Sequence, residues 1–150
     1  MTRVCLVGDP GVNLTYELLS RETARDALAT YEIREPFANS VAVDTVSLGS
    51  AVALLNDLNW YLVRFVDEAF VLEPSVSGTE WLSRELASEV REGDLPPEET
   101  DQRLKVFGLV DGELVEPMFV RRAQGRVPEY DLREVDDTVV VRVSESEFGG

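Results

Sequence analysis

The sequence predicts an α+β domain: a mixed sheet of about five strands with two or three helices, opening on a β-α-β crossover and closing on an antiparallel hairpin. A three-layer α/β arrangement is the alternative. Three observations carry the prediction. Branched apolar runs at residues 4–7, 41–46, 104–110 and 138–143 read as strands. Apolar residues at three- and four-residue spacing between them read as helices. Asp111-Gly112 stands between two apolar runs, which is the strongest short-range signal for a two-residue hairpin turn. A chain of 150 residues with 44% hydrophobic content is long and apolar enough for one domain with a core, so residues 1–150 are expected as a single unit.

Taken in order, residues 4–7 form a short buried strand, and Gly8-Asp9-Pro10-Gly11 breaks it as a turn. A helix is expected over residues 13–31, capped by Asn13, with Leu14, Leu18, Ala24 and Leu28 as its apolar stripe. Pro36 lies in the connection to a strand at residues 41–46. Strand, helix, strand in that order makes a right-handed parallel crossover the default for residues 4–46. Ser50 is the expected cap of the next helix.

Two readings compete for residues 51–72. In one, a long helix runs the whole way on a stripe of Val52, Leu55, Leu58, Leu62, Val66 and Ala69, and Pro74 stops it. In the other, a helix ends near Asn59 and a strand covers residues 60–66. The long helix accounts better for the polar positions. Asp57, Arg64, Asp67 and Glu68 rule out a membrane span, which needs ~20 uninterrupted apolar residues.

Ser77 or Thr79 is the expected cap of a helix through Trp81, Leu82, Leu86 and Val90 that Gly93 ends. Residues 94–101 are a polar connection. The hairpin returns over residues 113–121, with Pro117 marking an edge or a bulge. Gln124-Gly125 reads as a further turn and residues 128–137 as irregular. After the strand at 138–143, residues 144–150 read as a flexible polar tail.

The charge balance sets the solvent. Twenty-nine acidic residues stand against fourteen basic ones, a formal net charge of −15, and the chain has no histidine. The basic set is all arginine apart from Lys105. Self-repulsion of this size calls for a screening, salt-rich medium. In this composition, and in segments such as SLGSAVALLNDLNWYLVRFVDEAF, the chain resembles small uncharacterised cytoplasmic proteins of halophilic archaea. That resemblance implies no particular activity. Cys5 has no partner for an internal disulfide and is expected to be a buried small hydrophobe. No secretory signal precedes the first strand, so the expected location is the cytoplasm.

The chemistry left open is narrow. Without histidine there is no Ser-His-Asp triad and no imidazole metal ligand; no metal site and no cofactor is expected. The leading function is a non-catalytic domain that binds a protein partner or self-associates, with Phe107, Phe119, Arg121 and Arg122 as its interaction residues. The alternative is a small-ligand or nucleotide-phosphate binding domain, and as such a candidate enzyme. It would use the turn after the first strand, with Gly8, Asp9 and Gly11, and the lone cation Arg64. Direct nucleic-acid binding through Arg121, Arg122 and Arg126 is disfavoured, because the chain has no basic run beyond them.

Overall fold

A computed structural model describes residues 1–122 and 137–148. Among these residues, seven strands form one mixed sheet and five α-helices accompany it. The class is α+β as expected, with more strands and helices than the sequence suggested. The strands are β1 (Thr2–Gly8), β2 (Ser40–Thr45), β3 (Val66–Leu72), β4 (Trp81–Ser83), β5 (Arg103–Val110), β6 (Glu113–Arg121) and β7 (Asp137–Arg142), in the spatial order β2-β1-β3-β4-β7-β5-β6. All neighbours are antiparallel except β4 and β7.

The N-terminal crossover is the first correction. β1 and β2 pair antiparallel, with Val7 opposite Ser40 and Thr2 opposite Thr45. The expected helix over 13–31 is two short ones, α1 (Leu14–Leu19) and α2 (Glu22–Leu28), broken where Arg21 takes an extended conformation. One unbroken helix of that length would carry the chain roughly 27 Å along the sheet and return it parallel. Two helices of six and seven residues make no such excursion, and the chain re-enters the sheet at the end it left. Asn13 caps α1 as read, its side chain accepting the Tyr16 amide.

Residues 51–72 follow neither reading. α3 (Leu48–Asp57) is capped by Ser47, and α4 (Asn59–Phe65) follows after a break at Leu58. β3 then begins at Val66. Trp81, expected in a helix, lies in β4; α5 (Arg84–Glu92) starts one residue after that strand, capped by Ser83, and Gly93 ends it with φ +81°. The hairpin holds as read. Asp111 and Gly112 both have positive φ, as a two-residue turn of this hand requires, and the register shift between Val106 and Gly108 lies opposite Pro117 on edge strand β6. Residues 144–148, read as the start of a tail, form a turn. Glu147 accepts hydrogen bonds from Ser83 Oγ and the Ser144 amide, and Phe148 meets Phe119 edge-on. Gln124, Gly125, Arg126 and residues 128–136 lie outside the described residues.

The helices cover one face of β1–β4, burying Val4, Leu6, Val41, Val43, Val71 and Leu82 against Leu14, Leu18, Leu55 and Leu86. The opposite face folds onto itself. β4 pairs through only two residues on each side, so it joins the half-sheet β2-β1-β3 to the half-sheet β7-β5-β6 as a narrow strap. In a flat sheet, strands three places apart lie roughly 14 Å apart. Yet the rings of Phe70 on β3 and Phe107 on β5 are 5.8 Å apart. Between the halves lie Cys5, Ala42, Phe70, Phe107, Val139 and Val141.

Glu80 pins this strap. It accepts hydrogen bonds from Arg122 Nη2 (2.6 and 2.7 Å) and Arg142 Nε (2.8 Å), and Arg142 also reaches Thr100 Oγ1. The arginines are 12% exposed and Glu80 is 17% exposed. Burial by itself raises the Glu80 carboxyl, but the hydrogen bonds and charges of Arg122 and Arg142 outweigh it and hold the group below the usual carboxylate range. A depressed folded value means that the clamp stabilises fully above the unfolded pKa of about 4.3, and that its contribution is lost as the pH falls through the folded value. Replacing Glu80 with Gln leaves two buried guanidinium groups facing each other. In urea unfolding at pH 7, Glu80→Gln is expected to lose about 2–3 kcal/mol. Its stability should also fall less steeply than that of the wild type between about pH 5 and 3.

Candidate functional site

The turn that the sequence singled out borders a half-open cavity of about 360 Å³. It lies where the two half-sheets meet at one end of the strap. Gly8, Pro10, Gly11 and Val12 form one wall, Asp67 and Glu68 at the start of β3 another, and Phe107, Glu113 and Leu114 of the β5–β6 hairpin a third, with Ala38 and Asn39 between. The amide of Ala38 donates to the carbonyl of Gly112 (2.7 Å), which ties the hairpin tip to the segment before β2 and closes that side.

Asn39 organises the turn. Its backbone carbonyl accepts from the Gly8 amide (2.8 Å), its Oδ1 accepts from the Leu14 amide (3.0 Å), and its Nδ2 donates to the Asp9 carbonyl (3.3 Å). These bonds hold Asn39 at φ +53°, a region that asparagine tolerates better than most residues. The Asp9 amide donates to the Phe65 carbonyl at the end of α4, and the Val12 amide to the Asp9 carbonyl. Gly8 is required by crowding: a Cβ there would lie 2.6 Å from Asn39 Nδ2 and 2.9 Å from Leu14 Cβ. Gly11 has φ +82° and open space around it, so its role is the turn itself.

The wiring bears on the ligand. The amides of Gly8, Asp9, Val12 and Leu14 are all engaged within the protein, and Pro10 has none to offer. A phosphate cradle is built from free amides and positive charge. This cavity instead presents Asp67, Glu68 and Glu113. Glu68 bonds Lys105 Nζ at 2.5 Å, and that ammonium lies 5.2 Å from the Phe107 ring and 5.9 Å from the Phe119 ring. Burial raises the Glu68 pKa; Lys105 offsets this in part, while Asp67 and Glu147 push the same way as burial. Three carboxylates thus line the cavity, and Lys105 pairs with one of them.

The other sequence-selected residues disperse. Arg64 is on α4, away from the cavity, and pairs with neither Asp67 nor Glu68; its guanidinium lies 3.9 Å over the Trp60 ring and donates to the Trp60 carbonyl. Phe107 is 5% exposed and belongs to the core between the half-sheets, which removes it from any outer interaction surface. Phe119 is half-buried against Phe148. Arg122 is held by Glu80, whereas Arg121 is exposed beside Phe148, so the two do not form one basic patch. Arg126 lies outside the described residues. Cys5 is fully buried, and its thiol is pushed up to about 12 by that burial, too high for a reactive thiolate. Among the described residues, no group of three or more Cys, Asp or Glu side chains is placed to hold a metal, and no helix is long and apolar enough to cross a membrane.

Asn39, Glu68, Lys105 and Glu113 were missed as site residues. Asn39 carried a signal, since asparagine just before a branched strand is a residue for left-handed backbone. The solitary Lys105 was another. The two carboxylates carried none, being lost among 29 acidic residues.

A family model described as a family of unknown function (DUF5804) matches residues 2–109, and the chain belongs to that family. The match runs from β1 nearly to the end of β5; it takes in the turn, Asn39, Glu68 and Lys105 and stops short of Glu113. None of the curated proteins and none of the solved structures compared matches the chain.

Gly8→Ala forces Asn39 or Leu14 to shift and is expected to lower unfolding free energy by about 1–3 kcal/mol. Asn39→Ala removes the bonds to Leu14 and Asp9 and leaves a strained backbone without its compensation. It should cost a similar amount. Chemical denaturation of both variants and of the double variant checks this. The two losses should fall short of additivity, because Asn39→Ala also removes the atom that the new Cβ strikes.

Proposed function

We propose that this domain binds a small, positively charged organic molecule, an amine with an apolar body, in the cavity beside Gly8. One observation carries the reading: a concavity of about 360 Å³ whose walls are apolar at Val7, Val12, Phe107 and Leu114 and anionic at Asp67, Glu68 and Glu113. The volume falls within the range of small-ligand pockets, and a few polar groups on an apolar lining is their usual make-up. The Phe107 ring, already near one ammonium, suits a second cation. A phosphate-bearing ligand is the weaker reading, because carboxylates line the cavity and the amides of Gly8, Asp9, Val12 and Leu14 are engaged.

We propose binding without catalysis, in the cytoplasm of a cell with a salt-rich interior. The support for the medium is the charge of −15 and an almost lysine-free basic set.

Thermal unfolding in molar KCl, against straight-chain amines and diamines, guanidinium compounds, nucleotides, inorganic phosphate and Mg²⁺, tests the ligand class. A ligand that binds only the folded state at a hundred times its Kd adds about 2.7 kcal/mol, a rise in Tm of roughly 5–10 °C for a chain of this length. The rise is expected with amines and should disappear in Glu68→Gln and Glu113→Gln, with Arg64→Ala unaffected. A rise with phosphate compounds alone, or an amine effect that survives both substitutions, would refute the reading.

A further inference from the structure

We infer that the outer face of α4 is an interface onto a second copy of this chain. The helix buries Tyr61 and Leu62 and turns Trp60, Val63 and Arg64 outward, at the three- and four-residue spacing that places them on one face. Trp60 is 48% exposed and Val63 72%, while Tyr16 on neighbouring α1 is 65% exposed.

Trp60 is a braced side chain. Arg64 covers one face of its ring at 3.9 Å, Arg21 stands 5.6 Å from its centroid, and Tyr61 and Phe65 meet it edge-on at 5.1 and 6.2 Å. A large aromatic fixed in place before contact loses little entropy on binding, and tryptophan is the residue most enriched among side chains that dominate interfaces.

Charge selects the occupant. Two copies at −15 each repel, and they approach most easily where the local charge is not negative. The α4 face offers two arginines, Arg21 and Arg64. Arg21 is paired with Glu17, but Arg64 makes no ion pair among the described residues and donates instead to the Trp60 carbonyl. The same chain provides the complement: an exposed Asp57 lies just before α4, and Arg64 lies near its far end. An antiparallel, two-fold packing of α4 on its mate sets Val63 against Trp60 in both directions and brings each Arg64 toward the exposed Asp57 that precedes the other helix. The contact is self-complementary, as a closed dimer requires.

Sedimentation velocity over about 1–100 µM protein, in 0.1 M and 2 M KCl, tests this. The expected result is reversible dimerisation that tightens at least tenfold in the higher salt, because salt screens the repulsion between whole chains more than it weakens an apolar contact. Val63→Glu, at a position open enough to leave folding intact, is expected to raise the dimer dissociation constant at least tenfold with the unfolding midpoint of the dilute monomer unchanged. Trp60→Ala should weaken the dimer as much. Monomer throughout the range in both salts would overturn the inference, as would a dimer that Val63→Glu and Trp60→Ala leave untouched.

Discussion

Two side-chain pairs hold the sheet closed. β3 and β5 run in the same direction, and their inward residues meet in step: Glu68 with Lys105, then Phe70 with Phe107. The first pair is ionic at the margin; the second is aromatic and deep. Strands three places apart make such contacts only if the sheet bends through them, and the two-residue pairing of β4 allows the bend. From this closure follow the burial of Cys5, the withdrawal of Phe107 from the surface and the cavity where the halves diverge beyond the ionic pair. Glu80 holds the strap from outside by joining the residue before β4 to Arg142 on β7 and Arg122 beyond β6.

Elements defined by local chemistry were legible. Asp111-Gly112 needs only its own backbone to form the turn, and Gly93 only its own left-handed φ to end α5. The strands at 4–7, 41–46, 104–110 and 138–143 carry their branched residues wherever they pair. What failed were choices settled at a distance. At the passage from α4 to β3, Phe65 and Val66 stand between Arg64 and Asp67, and both the helical and the extended register place apolar residues toward a core there. Pairing with β1, and with β4 farther along, decides for strand. β4 is three residues long, too short for a period to show, and Ser83 was overlooked as a cap because Ser77 and Thr79 stood in better positions for a longer helix.

The site divides in the same way. The turn at residues 8–11 was recognisable as a place where a ligand could sit, because a strand end followed by glycine and proline must leave the sheet there. The chemistry of the site was not recognisable. Whether the turn offers amides to an anion depends on Asn39, thirty residues away, which consumes or braces them. The sign of the cavity depends on Glu113, brought over by the hairpin. Arg64 drew attention as a charge in an apolar stretch, but α4 turns it outward onto Trp60, and a break at Leu58 that no proline or glycine marks sets that direction.

The acidity is also reorganised by the fold. Much of the positive charge is committed internally. Arg122 and Arg142 serve the strap, Lys105 the seam and Arg3 the β1–β2 pair, where its hydrogen bond holds Asp44 below the usual carboxylate range. Arg84 donates to Asn59 and to the Leu55 carbonyl near the end of α3, a favourable place for a cation even without a carboxylate. Arg91 lies across Gly49 so closely that a Cβ there would stand 2.8 Å from its Nε. With these cations drawn into structural roles, many of the unmatched carboxylates face water. Salt then acts on the two populations differently. It screens repulsion among exposed carboxylates over a Debye length that shrinks to about 3 Å at 1 M, and it reaches the enclosed pairs much less. Added salt is therefore expected to weaken the repulsion among exposed carboxylates of this chain more than its enclosed ion pairs, the reverse of a protein held together by exposed salt bridges.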